Sequence, residues 1–408
     1  MKRNLYNKIN KLLEMFPAVV IIGARQCGKT TISKMLKPDW KYFDLEKPQD
    51  YNRIVNDPDF FLEQNSSQLI LDEAQFMPSI FNSLRGAIDS NRSQAGRFII
   101  TGSSSPELLK NISESLAGRV AIVELGTFKM NEILQEPLSD FYEILQKPLN
   151  NKAIENLKKP KILLKDIQEI WLEGGYPEPV LKESKEFYLQ WMENYENTYI
   201  NRDIAKLYPK LNKIAYQRFL TMLCKLSGTI LNKSNISRAL EVSEGSIREY
   251  LSIASGTFLW RQIPSYEKSK TKSIVKMPKG HIRDSGLLHT LLRITNEDAL
   301  FNDPIIGQSF EGFVIEEIIK GLQATMLTHW SAYYYRTRSG AEIDLILDGP
   351  FGVLPIEIKY GSSCDYRKLK TLENFVIENN LKFGLLINQS KEACWLSKYI
   401  YQLPATYI

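Results

Sequence analysis

GARQCGKT, residues 23–30, carries the spacing G-x-x-x-x-G-K-[ST], and its flanks decide the fold of the N-terminal part of the chain. Val19-Val20-Ile21-Ile22 before it is a β-branched run that reads as a buried strand, and Thr30 to Leu36 after it has helix-compatible spacing. A glycine-rich turn between strand and helix aims backbone N–H groups and a helix N-terminus at a bound anion. The stretch Gly23-Ala24-Arg25-Gln26-Cys27-Gly28-Lys29-Thr30-Thr31 is therefore expected to cradle the phosphates of ATP or ADP, with Gly23 and Gly28 supplying backbone freedom. In this pattern Lys29 reaches the β- and γ-phosphates and the Thr30 hydroxyl holds Mg²⁺. Cys27 reads as a small filler residue of the loop.

Three further stretches are placed to complete a nucleotide site. LILDE, residues 69–73, is an apolar strand ending in two carboxylates. Asp72 is the expected Mg²⁺-side residue, and Glu73 is placed to orient or deprotonate an attacking water. Phe98-Ile99-Ile100 reads as another strand running into Thr101-Gly102-Ser103-Ser104, where Ser103 is the expected γ-phosphate sensor. In SLAGRVAIVEL (115–125), Arg119 lies between a helix and a strand, where a guanidinium can stabilise transition-state charge on the phosphate, from its own chain or a neighbouring copy.

Composition bounds the rest. The 408 residues are enough for two to four domains with real cores, and 43% hydrophobic with 24% charged residues is ordinary for a folded soluble chain. A net charge of +5 permits an acidic partner without requiring one. Cys27, Cys224, Cys364 and Cys394 are scattered, and with only His281, His289 and His329 beside them a zinc site is not expected. The absence of a disulfide framework suits a reducing cytoplasm. No apolar run reaches about 18 residues, so no membrane partner is expected.

Residues 1–130 alternate strands and helices as a parallel α/β sheet does. Residues 131–210 read as helical and aromatic-rich, with GGYPEPV (174–180) as a turn. In 211–298, helices are expected at 214–227, 235–240 and 245–252, the last two capped by Ser234 and Ser243, followed by strands at 257–266 and 273–278. This is the winged-helix plan. Arg261, Lys268, Lys270, Lys272, Lys276 and Lys279 would make its wing basic and suited to the phosphates of double-stranded DNA.

The last region, 299–408, holds a second constellation. FEGFVIEEIIKGL (310–322) reads as a helix whose Glu311 shares a face with Ile315, Ile318 and Leu322, while Glu316 and Glu317 are expected to be solvated. AEIDLIL (341–347) and PIEIKY (355–360) read as strands, with Glu357 and Lys359 on one side of the sheet. An acid on a helix, an Asp, then E-x-K is the PD-(D/E)xK nuclease pattern. Asp344 and Glu357 would coordinate Mg²⁺, Glu311 would complete its shell, and Lys359 would position the water.

The chain resembles the bacterial and archaeal AAA-type ATPases that carry a C-terminal domain of unassigned function. The resemblance runs through GARQCGKT, FDLEKP (43–48), LILDEAQ (69–75), FIITGSSS (98–105), SLAGRV (115–120), GGYPEP (174–179), YINRDI (199–204), GQSFEGFV (307–314), RTRSGAEIDLIL (336–347) and IEIKYG (356–361). It implies an AAA+ or STAND-like P-loop core, a helical region, a winged helix and a restriction-endonuclease-like α/β end. Lys29, Thr30, Asp72 and Glu73 match its nucleotide motifs, and Glu311, Asp344, Glu357 and Lys359 its nuclease-like ones. Arg202 falls in a motif to which no role is attached. Tyr360 departs from the small polar residue or glutamine that often follows E-x-K. The expected protein is a cytoplasmic, Mg²⁺-dependent and slow ATPase whose nucleotide state controls a DNA-engaging winged helix and nuclease-like domain. Two other readings stay open: a nucleotide-gated switch that binds a protein partner over an inactive nuclease-like scaffold, and a nuclease whose ATP site regulates assembly.

Overall fold

The computed structural model describes the chain except residues 104–111, 113, 205–207, 209–210, 268–276 and 364, and except the side chains of 201–203. It forms two compact units: Met1–Phe128 with Ser252–Leu259, and Lys129–Leu251 with Trp260–Ile408.

The first unit is built on a sheet of β1 (Ala18–Gly23), β2 (Lys41–Asp44), β3 (Leu69–Asp72), β4 (Phe98–Ser103) and β5 (Val120–Leu125), in the order β2-β3-β4-β1-β5. Every pairing in it is parallel. Parallel strands are covered on both faces, which is why β1 is apolar throughout rather than alternating. Val20 and Ile22 enter one core, while Val19 and Ile21 enter the other, the period-2 alternation of a strand. Helix α1 (Leu5–Met15) contributes Leu5, Ile9 and Leu13 to the second core. Phe258, from the returning segment of the chain, packs against both. The register sets Gly23 opposite Ser103 and Leu71 opposite Ile100, so the C-terminal ends of β1, β3 and β4 share one edge of the sheet. That edge is where open α/β sheets bind ligands.

The second unit begins with helices, among them Leu164–Glu173 and Lys185–Tyr195. GGYPEP is more than a turn: Gly174 has φ +74°, and a Cβ there would lie 2.2 Å from the Asp284 carboxylate, which accepts the Gly175 N–H at 3.0 Å. Helices Lys213–Lys225, Lys233–Leu240 and Glu244–Gly256 follow, then the antiparallel sheet β6 (Thr229–Ile230), β8 (Lys279–Ile282), β7 (Trp260–Ile263). Ser243 accepts the Ser246 N–H at 3.0 Å as a cap should. Ser234 does not cap; Asn232 accepts the Asn235 N–H at 3.1 Å, so the helix starts two residues earlier, and the Ser234 hydroxyl donates to Glu244. The strand expected at 273–278 falls mostly outside the described residues; β8 begins just after it.

The C-terminal sheet runs β13-β14-β12-β11-β10-β9, from β9 (Ser331–Arg336), β10 (Glu342–Gly349), β11 (Gly352–Ile358), β12 (Gly384–Asn388), β13 (Cys394–Trp395) and β14 (Ile400–Pro404). β9, β10 and β11 are antiparallel neighbours, and β11, β12 and β14 are parallel. The β9–β10 register shifts between Ile343 and Ile346. This bulge brings Ile343 and Ile346, three apart, into the same core and re-aims Asp344 between them.

Candidate functional site

At the loop, Gly28 sits at φ +96° as the residue before helix α2 (Lys29–Leu36), a conformation open to glycine. Gly23 is needed for a different reason than the turn. A Cβ on it would meet the Leu125 carbonyl oxygen at 2.1 Å, so the approach of β5 demands glycine there. Cys27 fills the underside of the loop, fully buried, its Sγ 3.2 Å from the same carbonyl. Arg3 donates to the Cys27 carbonyl at 3.0 Å and fixes the loop from below. Arg25 lies 3.8 Å from Glu46, Gln26 is exposed at φ +62°, and Thr31 is exposed in the first turn of α2.

The Lys29 ammonium is buried and folded back over the loop. It donates to the carbonyls of Gly23 (3.1 Å) and Ala24 (2.9 Å) and to Ser103 Oγ (3.2 Å). Asp72, 2% exposed, accepts from the Thr30 hydroxyl at 2.7 Å, from Tyr42 at 2.6 Å, and from Thr101. Burial and the hydrogen bond to Asp72 raise Tyr42 well above the ordinary phenol range, so it remains a donor. Glu73 occupies the left-handed region, φ +53° and ψ +47°, which is uncommon for a side chain of its size. Its carboxylate is held by Ser103, whose N–H (3.2 Å) and hydroxyl (3.3 Å) both donate, and by Gln75 at 2.5 Å. Lys29, Ser103 and Glu73 thus form one chain of contacts, with the Thr30–Asp72 pair beside it. Hard oxygen donors at Thr30 and Asp72, an ammonium and a helix N-terminus are what a triphosphate with Mg²⁺ requires, and the residues present fit that pair.

Arg119 is not at this site in its own chain. It precedes β5, whose Val120 pairs with Ala18 at the start of β1, whereas the loop follows Gly23, paired with Leu125. Five strand residues set the two about 16 Å apart. Arg119 instead makes a two-pronged pair with Asp89, both contacts 2.8 Å.

The second constellation assembles in the second unit, around cations. Lys279 Nζ lies 2.6 Å from Glu311, 2.6 Å from Glu342 and 3.5 Å from Asp344. Lys359 Nζ lies 2.5 Å from Glu357 and 3.6 Å from Asp344, so the E-x-K pair does share one side of the sheet. Asp344 also accepts the Ile358 N–H at 2.8 Å, and Arg336 donates to Glu342 at 3.0 Å. Burial first, and the Asp344 charge next, push both Glu311 and Glu357 up to about 8. Burial alone would lower Lys279; Glu311, Asp344 and Glu342 outweigh it and hold its ammonium charged. Among the described residues, no group of three or more His, Cys, Asp or Glu side chains is arranged to hold a metal ion.

Two expectations change here. Lys279 is 5% exposed and turned onto carboxylates, and Arg261 is paired with Glu316, so neither belongs to a free basic wing. Glu316 and Glu317 are not solvated. The helix Ile306–Ala324 is apolar nearly all round and buried accordingly, so both acids enter the interior with partners. Glu316 meets Arg261, His281 at 3.0 Å and Arg283 at 3.5 Å, while Glu317 accepts the Met130 N–H at 2.9 Å and meets Lys320 at 2.6 Å. Lys268, Lys270, Lys272 and Lys276, and the Arg202 side chain, lie outside the described residues. Tyr360 packs its ring against Trp171, Phe301 and Phe310, an apolar role.

Residues 15–134 match the AAA domain. Residues 164–298 and 306–408 match two domains of unknown function (DUF8612 and DUF4143). An uncharacterized protein of Mycobacterium tuberculosis is 33% identical over all of this chain and 84% of its own length. The chain belongs to the AAA-type P-loop ATPase family that carries a C-terminal domain of unassigned function. An uncharacterized protein of the archaeon Methanocaldococcus jannaschii is 26% identical over 63% of this chain and 59% of its own. Among solved structures, the Walker-type ATPase of Pyrococcus abyssi is similar over 70% of this chain and 94% of that one, at 14% identity and a TM-score of 0.42, too distant to carry an assignment.

In this AAA-type ATPase the sequence pointed to the loop, Asp72, Glu73 and Ser103, and the structure brings them together. It missed Tyr42 and Thr101, the other two hydroxyls on Asp72. Thr101 was the first residue of a strand tip already singled out, and its buried hydroxyl needed a partner. Tyr42 left no local signal, because β2 meets β3 only through the sheet. Glu342 and Lys279 were missed likewise; the first stands two residues before Asp344, and the second comes from a separate sheet.

Proposed function

We propose that this protein binds ATP with Mg²⁺ between β1 and α2 and hydrolyses it slowly, as a switch. The observation that carries the reading is the Asp72–Thr30 contact at 2.7 Å beside a loop whose Lys29 is poised over it. Lys29 would leave the Gly23 and Ala24 carbonyls for the β- and γ-phosphates. Thr30 and Asp72 would hold Mg²⁺, which neutralises developing phosphate charge. Glu73, turned inward by its left-handed backbone, would orient and deprotonate the attacking water. Ser103, bonded to both Lys29 and Glu73, would register whether a γ-phosphate is present. Arg119 would reach the phosphate only from a neighbouring copy of the chain.

The output we propose is engagement of double-stranded DNA by the winged-helix segment in the cytoplasm. The order of three helices followed by a hairpin sheet supports it, as do Lys268, Lys270, Lys272 and Lys276 in the sequence between β7 and β8. Residues Ser252–Leu259 belong to the ATPase unit, where Phe258 touches both cores, and the chain on either side belongs to the second unit. A nucleotide-dependent shift of the first unit therefore acts on a segment covalently continuous with the winged helix. One observation favours a second reading, in which the partner is a protein and the nuclease-like end an inactive scaffold: the burial of Lys279 among the C-terminal carboxylates.

Calorimetry with MgATP tests the first half. Wild type should give saturable heat and Lys29→Ala about 100-fold weaker binding, since its ammonium is the charge held over the loop where the β- and γ-phosphates would sit. Heat unchanged by Lys29→Ala removes the reading. For the output, duplex binding that weakens steeply as salt rises supports DNA, and no binding at low salt supports the protein partner.

A further inference from the structure

The C-terminal carboxylates are where a divalent ion would be sought, yet a side chain of this chain already stands there. Lys279 reaches the cluster from β8 and pairs with three of its carboxyl groups: Glu311 and Glu342 at 2.6 Å each and Asp344 at 3.5 Å. Lys279 as a whole is 5% exposed, so it is part of the interior rather than a surface residue leaning in. A hard divalent ion takes carboxylate oxygens at about 2.0–2.6 Å, and the oxygens of Glu311 and Asp344 it would use face Lys279. Two cations cannot share these oxygens in an interior of low dielectric. As arranged, the residues do not fit the ion that their order in the sequence implies.

A second observation is that the cluster leaves one of its own oxygens without a partner. Glu357 is 7% exposed; its Oε1 is held by Lys359 at 2.5 Å, while Oε2 is buried with no hydrogen-bond partner among the described residues. A buried, unsatisfied carboxylate oxygen is costly and marks a missing partner. Four carboxyl groups (Glu311, Glu342, Asp344, Glu357) converge on three cations (Lys279, Lys359, Arg336).

We propose that Lys279 is a tethered counter-ion that occupies a divalent-cation site and closes it, so that removing its charge opens a site for Mn²⁺ or Mg²⁺ held by Glu311, Asp344 and Glu357. This rests on the second unit alone and is independent of nucleotide binding. The test is an electron paramagnetic resonance titration of Mn²⁺ into the full chain without nucleotide, in an Asp72→Asn background so that the first unit does not contribute. The parent should take up no tightly bound Mn²⁺. Lys279→Met should bind one ion per chain, at least tenfold tighter than the parent, and Lys279→Met with Asp344→Asn should lose it again. Mn²⁺ should also raise the melting temperature of Lys279→Met and leave that of the charge-preserving Lys279→Arg unchanged. Lys279→Gln, which keeps donors without the charge, gives the same readings should the methionine variant fail to fold. Tight Mn²⁺ binding by the parent that disappears in Asp344→Asn overturns the proposal, as does a folded, neutral variant at position 279 that takes up none.

Discussion

Asp72 and Asp344 are both buried aspartates on strands next to a glutamate and a lysine, yet they are held in opposite ways. The partners of Asp72 are hydroxyls: Thr30, Tyr42 and Thr101. The partners of Asp344 are two ammonium groups and a backbone N–H. Hydroxyls orient a carboxylate without cancelling its charge, so Asp72 keeps its attraction for an incoming cation. Lysines cancel it in place, so Asp344 is satisfied before any ligand arrives. The same three residue types thus read as a binding site in one unit and as a closed ion cluster in the other.

The sharpest way to break this comparison is to neutralise each aspartate. Asp344→Asn should destabilise the fold by about 2 kcal/mol, because Lys279 and Lys359 each lose one carboxylate partner and the buried Ile358 N–H loses its charged acceptor, while leaving ATP turnover unchanged. Asp72→Asn should do the reverse, slowing turnover on the order of 100-fold at a cost of about 1 kcal/mol, since hydroxyls can turn to accept from an amide. Urea titrations and turnover assays on both variants measure this; a reversed pattern ends the distinction.

A smaller effect sharpens it. Glu311 and Glu357, pushed up to about 8 by burial and then Asp344, bind protons in the folded state that the unfolded chain releases near 4.5. The folded state therefore holds more protons between those values, and stability falls as pH rises through that window and levels off above it. The melting temperature should fall between pH 6.5 and 8, and Glu357→Gln should flatten part of the slope. A wild-type melting temperature that rises over this range contradicts the cluster described here.

The smallest effect concerns Arg119. Its pair with Asp89 is solvent-screened, so Arg119→Ala should barely move the melting temperature. Any loss of turnover should return on mixing with Lys29→Ala chains, because from the far end of β5 the guanidinium can serve only a neighbour's phosphate. Loss without recovery on mixing leaves Arg119 as a surface pair alone.

The phosphate loop, the parallel sheet around it and the Asp72–Glu73 strand tip were legible in the amino-acid sequence because their signals are local. A β-branched run fixes a buried strand, and glycine and lysine at set spacings fix the turn after it. The order of the C-terminal acids was legible for the same reason, and the E-x-K pair fell on one side of its strand by the period of two. What the sequence could not say was which charges meet. Glu316 and Glu317 looked solvated by helical spacing but are buried, because the Ile306–Ala324 helix has no solvent face to offer them. Lys279 looked like one of a row of exposed wing lysines, and only the approach of β8 to β10 turned it onto Glu311, Glu342 and Asp344. Spacing along a chain sets which residues share a face; the partner across that face comes from another element, and at contact distance in a buried place it decides whether a carboxylate is free to bind or already neutralised.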